Sequence, residues 1–92
     1  MFWGRFYRKI APDGTVVLPR NLHPGKVIPE EGRLLVIPTI RGRKIVLSQD
    51  KLAYAQIEKE VVLVGRGFYY EVWNPKNLTY AEGLRKERRW RK

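Results

Sequence analysis

This chain of 92 residues has no cysteine and a single histidine, His23. Without thiols it can form neither disulfides nor thiolate zinc sites, and thiol catalysis is excluded. No apolar run approaches the roughly 18 residues of a membrane span. The basic N-terminus is also not followed by the apolar segment of a signal peptide. We therefore expect a soluble, cytoplasmic protein that has no membrane partner.

Acidic residues are also scarce, with 9 Asp and Glu against 19 Lys and Arg. They are scattered along the chain without a cluster of carboxylates that could hold a metal, and neither a Ser/His/Asp set nor a glycine-rich phosphate loop is present. His23 stands beside Pro24 and Gly25 without a carboxylate or cysteine at metal-ligand spacing, and we interpret it as a loop residue. The sequence predicts a protein that is not an enzyme and needs no cofactor.

The resulting net charge of +10 is large for a chain that allows only one small domain. Like charges repel one another and oppose a compact fold. An anionic partner relieves this repulsion, and nucleic acid and acidic membrane surfaces are the common ones. The charge therefore favours a nucleic-acid partner, given that no membrane segment is found.

Alternating hydrophobicity and turn residues predict a mainly β fold. Strands are expected at residues 2–10, 15–18, 33–37, 44–47 and 61–64. The last is apolar on both faces, so we expect it to be covered on both sides. Residues 21–32 contain two prolines and two glycines with few apolar residues, which predicts a connection without regular structure.

Two helix starts are indicated by capping residues. Ser48 is a suitable N-cap for a short helix over residues 49–57, with Asp50 in its first turn. Asn74 followed by Pro75 has the residues of a second helix start. The chain also contains a short internal repeat, since residues 14–22 can be superimposed on residues 43–48 as turn, strand and the start of the next element. Two such hairpins imply a pseudo-two-fold core.

Residues 54–74 carry the strongest family signal. They read as a helix end, a buried strand, a turn in which Gly65 and Gly67 supply positive φ angles, and a strand carrying Glu71 and Trp73. This segment resembles the C-terminal repeat of the MraZ family, DNA-binding regulators of the AbrB/SpoVT swapped-hairpin type. Residues 2–7, 13–14 and 16–19 are similar to the opening of that family. Together the similar segments cover roughly half of the chain.

The resemblance implies a small swapped-hairpin β-barrel, with a short helix and a basic C-terminal helix. We expect a barrel domain over residues 1–78, a basic helical tail over residues 79–92, and assembly of several copies. The family places an aspartate four residues before an arginine in each repeat. Here Ala11 and Thr15 occupy those positions in the first repeat, and Ile40 and Lys44 in the second. The segment between the repeats is also shorter than in the family.

Three groups of residues are candidates for binding nucleic acid. The turn residues Arg41, Arg43 and Lys44 lie where the family resemblance places the DNA-facing surface. The tail residues, on helical spacing, could contact phosphates without sequence preference; they are Arg85, Lys86, Arg88, Arg89, Arg91 and Lys92. Residues Trp3, Arg5, Tyr7 and Lys9 interleave aromatic and cationic side chains that could stack on exposed bases.

Each group also has a structural interpretation. The turn can be a charged hairpin tip, the tail a solvated terminus, and the aromatic strand an edge strand that packs on the C-terminal helix. Glu71 is expected to pair with a basic neighbour, Trp73 to close one end of the core, and Arg66 to be a solvated turn residue.

These features favour a DNA-binding transcriptional regulator. The alternative is a protein that binds structured RNA, such as a ribosome-associated or ribosomal protein. A third class is a protein-interaction module whose basic tail wraps an acidic partner.

Overall fold

A computed structural model describes residues 3–90 of the chain, with side chains for residues 3–84. In chain order its elements are β1 (Arg5–Lys9), β2 (Thr15–Val17), β3 (Gly25–Glu30), β4 (Arg33–Pro38), β5 (Lys44–Val46), α1 (Gln49–Tyr54), β6 (Glu60–Gly65), β7 (Tyr70–Trp73) and α2 (Pro75–Trp90). Five strands form an antiparallel main sheet in the order β1-β6-β7-β4-β3, and β2 pairs with β5 as a separate ribbon. The predicted mainly β fold is confirmed.

The core lies between the inner face of the main sheet and the ribbon. Strand alternation sends every second side chain inward, and the ribbon contributes Val16 and Ile45 to the same cluster. The sheet contributes Leu34, Val36, Val61, Leu63, Tyr70 and Val72. On the outer face, Val62 and Val64 pack with Trp73 and with Leu78 of α2 in a second cluster. Strand β6 is therefore covered on both sides, as predicted. Trp73 packs under α2 rather than closing the main core.

The internal repeat corresponds to a local two-fold symmetry of the ribbon. When residue 14 is superimposed on residue 43, Val16 falls on Ile45, and these two residues are direct partners in the β2–β5 register. The neighbouring pairs are exchanged by the same operation. The operation also exchanges two backbone hydrogen bonds. Leu18 N donates to the Arg43 carbonyl at 2.7 Å, and Leu47 N donates to the Gly14 carbonyl at 2.9 Å.

The main sheet follows the same symmetry by crosswise pairing. Strand β1, the first of the first repeat, pairs with β6 of the second repeat. Strand β4, the first of the second repeat, pairs with β3 of the first. In the second repeat α1 connects β5 to β6, whereas in the first a tight turn closed by Leu22 N and the Pro19 carbonyl connects β2 to β3.

The predicted closed barrel is wrong, because the main sheet is open. Strand β7 pairs with both β6 and β4, but the first repeat has no equivalent of it. Its chain passes from β3 directly into β4 through a turn at Glu31 and Gly32, both at positive φ (47° and 78°). Among residues 3–90 no strand lies outside β1 or β3. A strand joining these two edges would be needed to close the sheet.

The prediction of an irregular connection at residues 21–32 is also wrong, since β3 occupies residues 25–30. Thr39 N donates to the Pro24 carbonyl, so these two residues form a hydrogen-bonded pair. Hydrogen-bonded pairs alternate along an antiparallel ladder, and every second residue of β3 counted from Pro24 therefore bonds to β4. Pro29 is not one of these residues, so its nitrogen faces the free edge of the sheet. A proline is tolerated at such a position because no ladder donor is lost. The prolines and glycines of this segment therefore explain why its sequence pattern does not predict an edge strand.

Both helix starts are confirmed. The Ser48 side chain accepts from Lys51 N at 3.4 Å, but α1 ends at Tyr54, three residues before the predicted end, and Gln56 has a φ of 56°. The Asn74 side chain accepts from Lys76 N at 2.9 Å, and α2 continues to Trp90, across the domain boundary predicted after residue 78. No helix among the described residues is long and apolar enough to cross a membrane.

Candidate nucleic-acid interface

The basic turn at residues 39–43 connects β4 to β5 and is fixed from two sides. Thr39 N and Ile40 N both donate to the Pro24 carbonyl, at 3.2 and 3.3 Å, and the Arg43 carbonyl accepts from Leu18 N. The side chains of Arg41 and Arg43 are exposed on this fixed backbone. The turn therefore presents two guanidinium groups from a rigid position.

His23 holds the turn against the preceding loop. Its Nδ1 lies 3.1 Å from the Gly42 carbonyl oxygen, and its own carbonyl accepts from the Tyr70 hydroxyl at 2.8 Å. Tyr70 is fully buried, and this burial raises its pKa, so the hydroxyl keeps the proton that it donates. The predicted loop histidine is thus an anchor between the core and the basic turn.

The turn forms one wall of a concavity of about 290 Å³, which is lined by Arg20, His23, Arg41, Gly42 and Arg43. Arg20 comes from the loop after β2, and no local sequence signal singles it out. It lies far from Arg41 along the chain, and only the fold brings the two together. The third predicted turn residue, Lys44, is exposed at the start of β5 and is not part of this lining.

The aromatic and cationic residues of the first strand divide into two kinds. Trp3 and Tyr7 are 67% and 57% exposed, and Lys9 is exposed as well. Arg5 instead donates to both carboxylate oxygens of Glu82 on α2, at 3.2 and 2.5 Å, which raises its pKa. β1 is an edge strand tied to α2, as its structural interpretation predicted, but through an ion pair. Trp3, which precedes β1, and Tyr7 within it remain exposed.

The basic tail lies largely beyond the described side chains. Arg85, Lys86, Arg88 and Arg89 fall within the backbone of α2, and Arg91 and Lys92 lie outside the described residues. Their helical spacing agrees with the predicted helix, and their phosphate contacts stay a prediction.

A buried ion-pair cluster supports the outer face of the main sheet. The carboxylate of Glu71 accepts from Arg33 Nε at 2.7 Å, Arg66 Nε at 2.8 Å and Trp73 Nε1 at 3.0 Å. Burial raises the pKa of Glu71, but the hydrogen bonds from Trp73, Arg66 and Arg33 outweigh it and hold that pKa below the usual carboxyl range. The predicted pairing of Glu71 is confirmed, whereas the interpretation of Arg66 as a solvated turn residue is wrong.

The fold and the turn together define a small, mainly β protein with two crosswise-paired repeats and a cationic surface concavity. Among curated proteins, the chain is similar to the transcriptional regulator MraZ of Rickettsia typhi, with 36% identity over 50 residues. The match covers 50% of this chain and 34% of that protein, so the chain matches about a third of the length of this relative. The predicted resemblance to MraZ is thereby confirmed. No family model matches the chain, and no solved structure matches it.

Proposed function

We propose that this protein binds duplex DNA as a transcriptional regulator, without catalysing a reaction and in the cytoplasm. The observation that carries the proposal is the rigid turn with exposed Arg41 and Arg43, in a chain half of which is similar to a transcriptional regulator. Guanidinium groups pair with phosphate oxygens through two parallel hydrogen bonds, so two of them carried on a hydrogen-bonded backbone are suited to the DNA backbone.

The crosswise pairing of the repeats supports the swapped-hairpin arrangement that the resemblance implies, in an open rather than a closed form. In this arrangement Arg41, Arg43 and Lys44 contact the duplex. The tail residues from Arg85 to Lys92 add phosphate contacts that strengthen binding to any sequence. Neither repeat keeps the aspartate–arginine pair of the family, so the affinity rests on these other cations.

Direct binding measurements test the proposal. The full chain is mixed at low salt with a fluorescein-labelled DNA duplex and, separately, with an RNA hairpin of equal length, and affinity is followed by fluorescence anisotropy. We expect the duplex to bind more tightly. Preferred binding of the RNA hairpin, or loss of co-purified nucleic acid to RNase alone, would overturn the DNA assignment in favour of RNA.

A double variant locates the contact. Arg43→Ala with Lys44→Ala is expected to weaken duplex binding roughly tenfold, as the loss of about 1.5 kcal/mol of charge-assisted hydrogen bonding implies. Lys59→Ala with Lys76→Ala is the matched control, because it also removes two positive charges, here from exposed lysines outside the turn. Equal losses in both variants would show that net charge, rather than the turn, determines binding. Analytical ultracentrifugation of the same samples would test the predicted assembly of several copies.

A further inference from the structure

The arginines of the described part of the chain divide into two sets by their partners. Four of the seven with described side chains donate to a protein group. Arg5 pairs with Glu82, Arg33 and Arg66 pair with Glu71, and Arg8 donates to the Tyr7 carbonyl. The other three donate to no described group, and all three line the same concavity; they are Arg20, Arg41 and Arg43.

The composition of this concavity makes it a site for an anion. Its lining contains three arginines, one histidine and one glycine, and no acidic residue. Three arginines that line one concavity concentrate positive charge there, and an anion bound in the concavity would offset their mutual repulsion. A second concavity, beside the start of α2, shows the contrast, because its Lys59 and Lys76 are accompanied by Glu58 and Glu60.

The backbone around the concavity is held in place before any ligand arrives. His23 connects the Gly42 carbonyl to the buried Tyr70 hydroxyl, and Gly42 packs so closely on the Pro24 ring that an added Cβ would lie 3.0 Å from it. The Arg43 carbonyl is bonded to the ribbon through Leu18 N. Pre-organised groups bind more tightly because little ordering is left to be done on binding.

We propose that Arg20, Arg41 and Arg43 form a clamp that holds one backbone phosphate of the DNA in this concavity. The inference rests on the proposed function and adds to it a residue, Arg20, from the first repeat. The clamp would fix the position of the protein on the duplex, while contributing no base readout of its own.

The test measures the affinity of the full chain for a labelled 20-base-pair duplex of arbitrary sequence. Arg20→Ala is expected to weaken binding about tenfold, while the slope of log affinity against log salt falls by less than about 0.9, because Arg41 and Arg43 still neutralise the same phosphate. Lys59→Ala, which removes one positive charge elsewhere, is expected to have a much smaller effect. Unchanged thermal unfolding of both variants verifies that they are folded.

A double-mutant cycle distinguishes one shared phosphate from separate contacts. If Arg20 and Arg43 hold the same phosphate, the combined variant loses less affinity than the sum of the two single losses, whereas Arg20→Ala with Lys59→Ala is additive. Additive losses for Arg20 and Arg43, or an Arg20→Ala variant that binds like Lys59→Ala, would overturn the clamp and leave the DNA-binding function standing. A wild-type chain that does not bind the duplex would overturn the function itself, and the clamp with it.

Discussion

Glu71 is a buried carboxylate that links three side chains on the outer face of the main sheet. Its side chain is only 4% exposed and has two arginine partners, while the Arg33 guanidinium also lies 5.5 Å from the centre of the Trp73 ring. Glu71→Gln keeps the shape of the side chain and removes its charge, which leaves Arg66 without its counter-ion and Arg33 with only the exposed Glu31. We expect the free energy of unfolding at pH 7 to fall by about 3 kcal/mol in urea denaturation.

Glu31→Gln is the matched control, because Glu31 also pairs with Arg33 but is 81% exposed. Exposed ion pairs contribute less than about 1 kcal/mol, so this variant is expected to unfold almost like the wild type. A similar loss of unfolding free energy for both substitutions would show that the buried ion pairs of Glu71 stabilise the fold no more than the exposed pair of Glu31.

The lowered pKa of Glu71 makes a second prediction at the residue scale. A carboxyl whose pKa is lower in the folded than in the unfolded state contributes stability above its unfolded pKa, and loses it as the pH falls through the folded pKa. The stability difference between the wild type and Glu71→Gln should therefore be full at pH 7 and shrink below about pH 4.5, the ordinary value. Urea denaturation at pH 7, 5, 4 and 3 measures it, and a constant difference would contradict the assignment.

At the scale of elements, the ribbon depends on how closely its two strands meet at Gly14. This glycine has a φ of 88°, and a Cβ there would collide with the Leu47 carbonyl oxygen. Gly32, in the β3–β4 turn, has a similar φ of 78° with nothing within 4 Å of such a Cβ. Gly32→Ala should cost only the left-handed backbone strain of about 1 kcal/mol. Gly14→Ala should cost about 2 kcal/mol more, through displaced packing.

Urea denaturation of both glycine variants checks this prediction. Hydrogen exchange adds a local readout, since the Leu47 amide that donates to the Gly14 carbonyl should exchange faster in Gly14→Ala. Equal free energies of unfolding for the two variants would mean that the ribbon accommodates a Cβ at residue 14 without loss of packing.

Among the described side chains of α2, Leu78 is the leucine that is buried against the main sheet. Leu78 is 2% exposed and packs with Val62, Val64 and Trp73, whereas Leu84 on the same helix is 39% exposed. Leu78→Ala is expected to reduce the free energy of unfolding by about 3 kcal/mol, and Leu84→Ala by about 0.5 kcal/mol. Comparable losses in thermal or urea unfolding would contradict the packing of α2 on β6.

Elements with local signals could be predicted from the sequence, and those set by distant pairing could not. Ser48 and Asn74 cap helices through neighbouring amides, and the apolar character of residues 61–64 is visible in the chain itself. Strand β3 escapes prediction because Pro29 fits only an edge strand, and its place at the edge depends on the rest of the sheet. The open sheet could not be predicted either, because it too depends on pairing between distant strands. In the interface, Arg20 and His23 gain their roles only when the two repeats meet.

At the scale of the whole molecule, the positive charge is unevenly neutralised. The described ion pairs take up Arg5, Arg33 and Arg66 around the outer face of the sheet. Residues 85–92 carry a net +5 of the chain's +10, and Arg20, Arg41 and Arg43 gather at the concavity. Charge held on a short segment and in one hollow is suited to an extended polyanion, whose phosphates can reach both regions.

Removing residues 85–92 tests the contribution of the tail. For every phosphate that the shortened protein no longer neutralises, the slope of log affinity against log salt should fall by about 0.9 on duplex DNA. Affinity should decrease for all sequences alike, because phosphate contacts carry no sequence information.

A full-length variant with Arg85, Arg88, Arg89 and Lys92 replaced by Gln separates the charge from the length of α2. Fluorescence anisotropy between 50 and 200 mM salt should give both proteins a shallower slope than the wild type, and a shallower one than Arg20→Ala, which removes a single cation. If the slope stays unchanged in both proteins, the tail contacts no phosphate, and the affinity must come from the concavity and the turn alone.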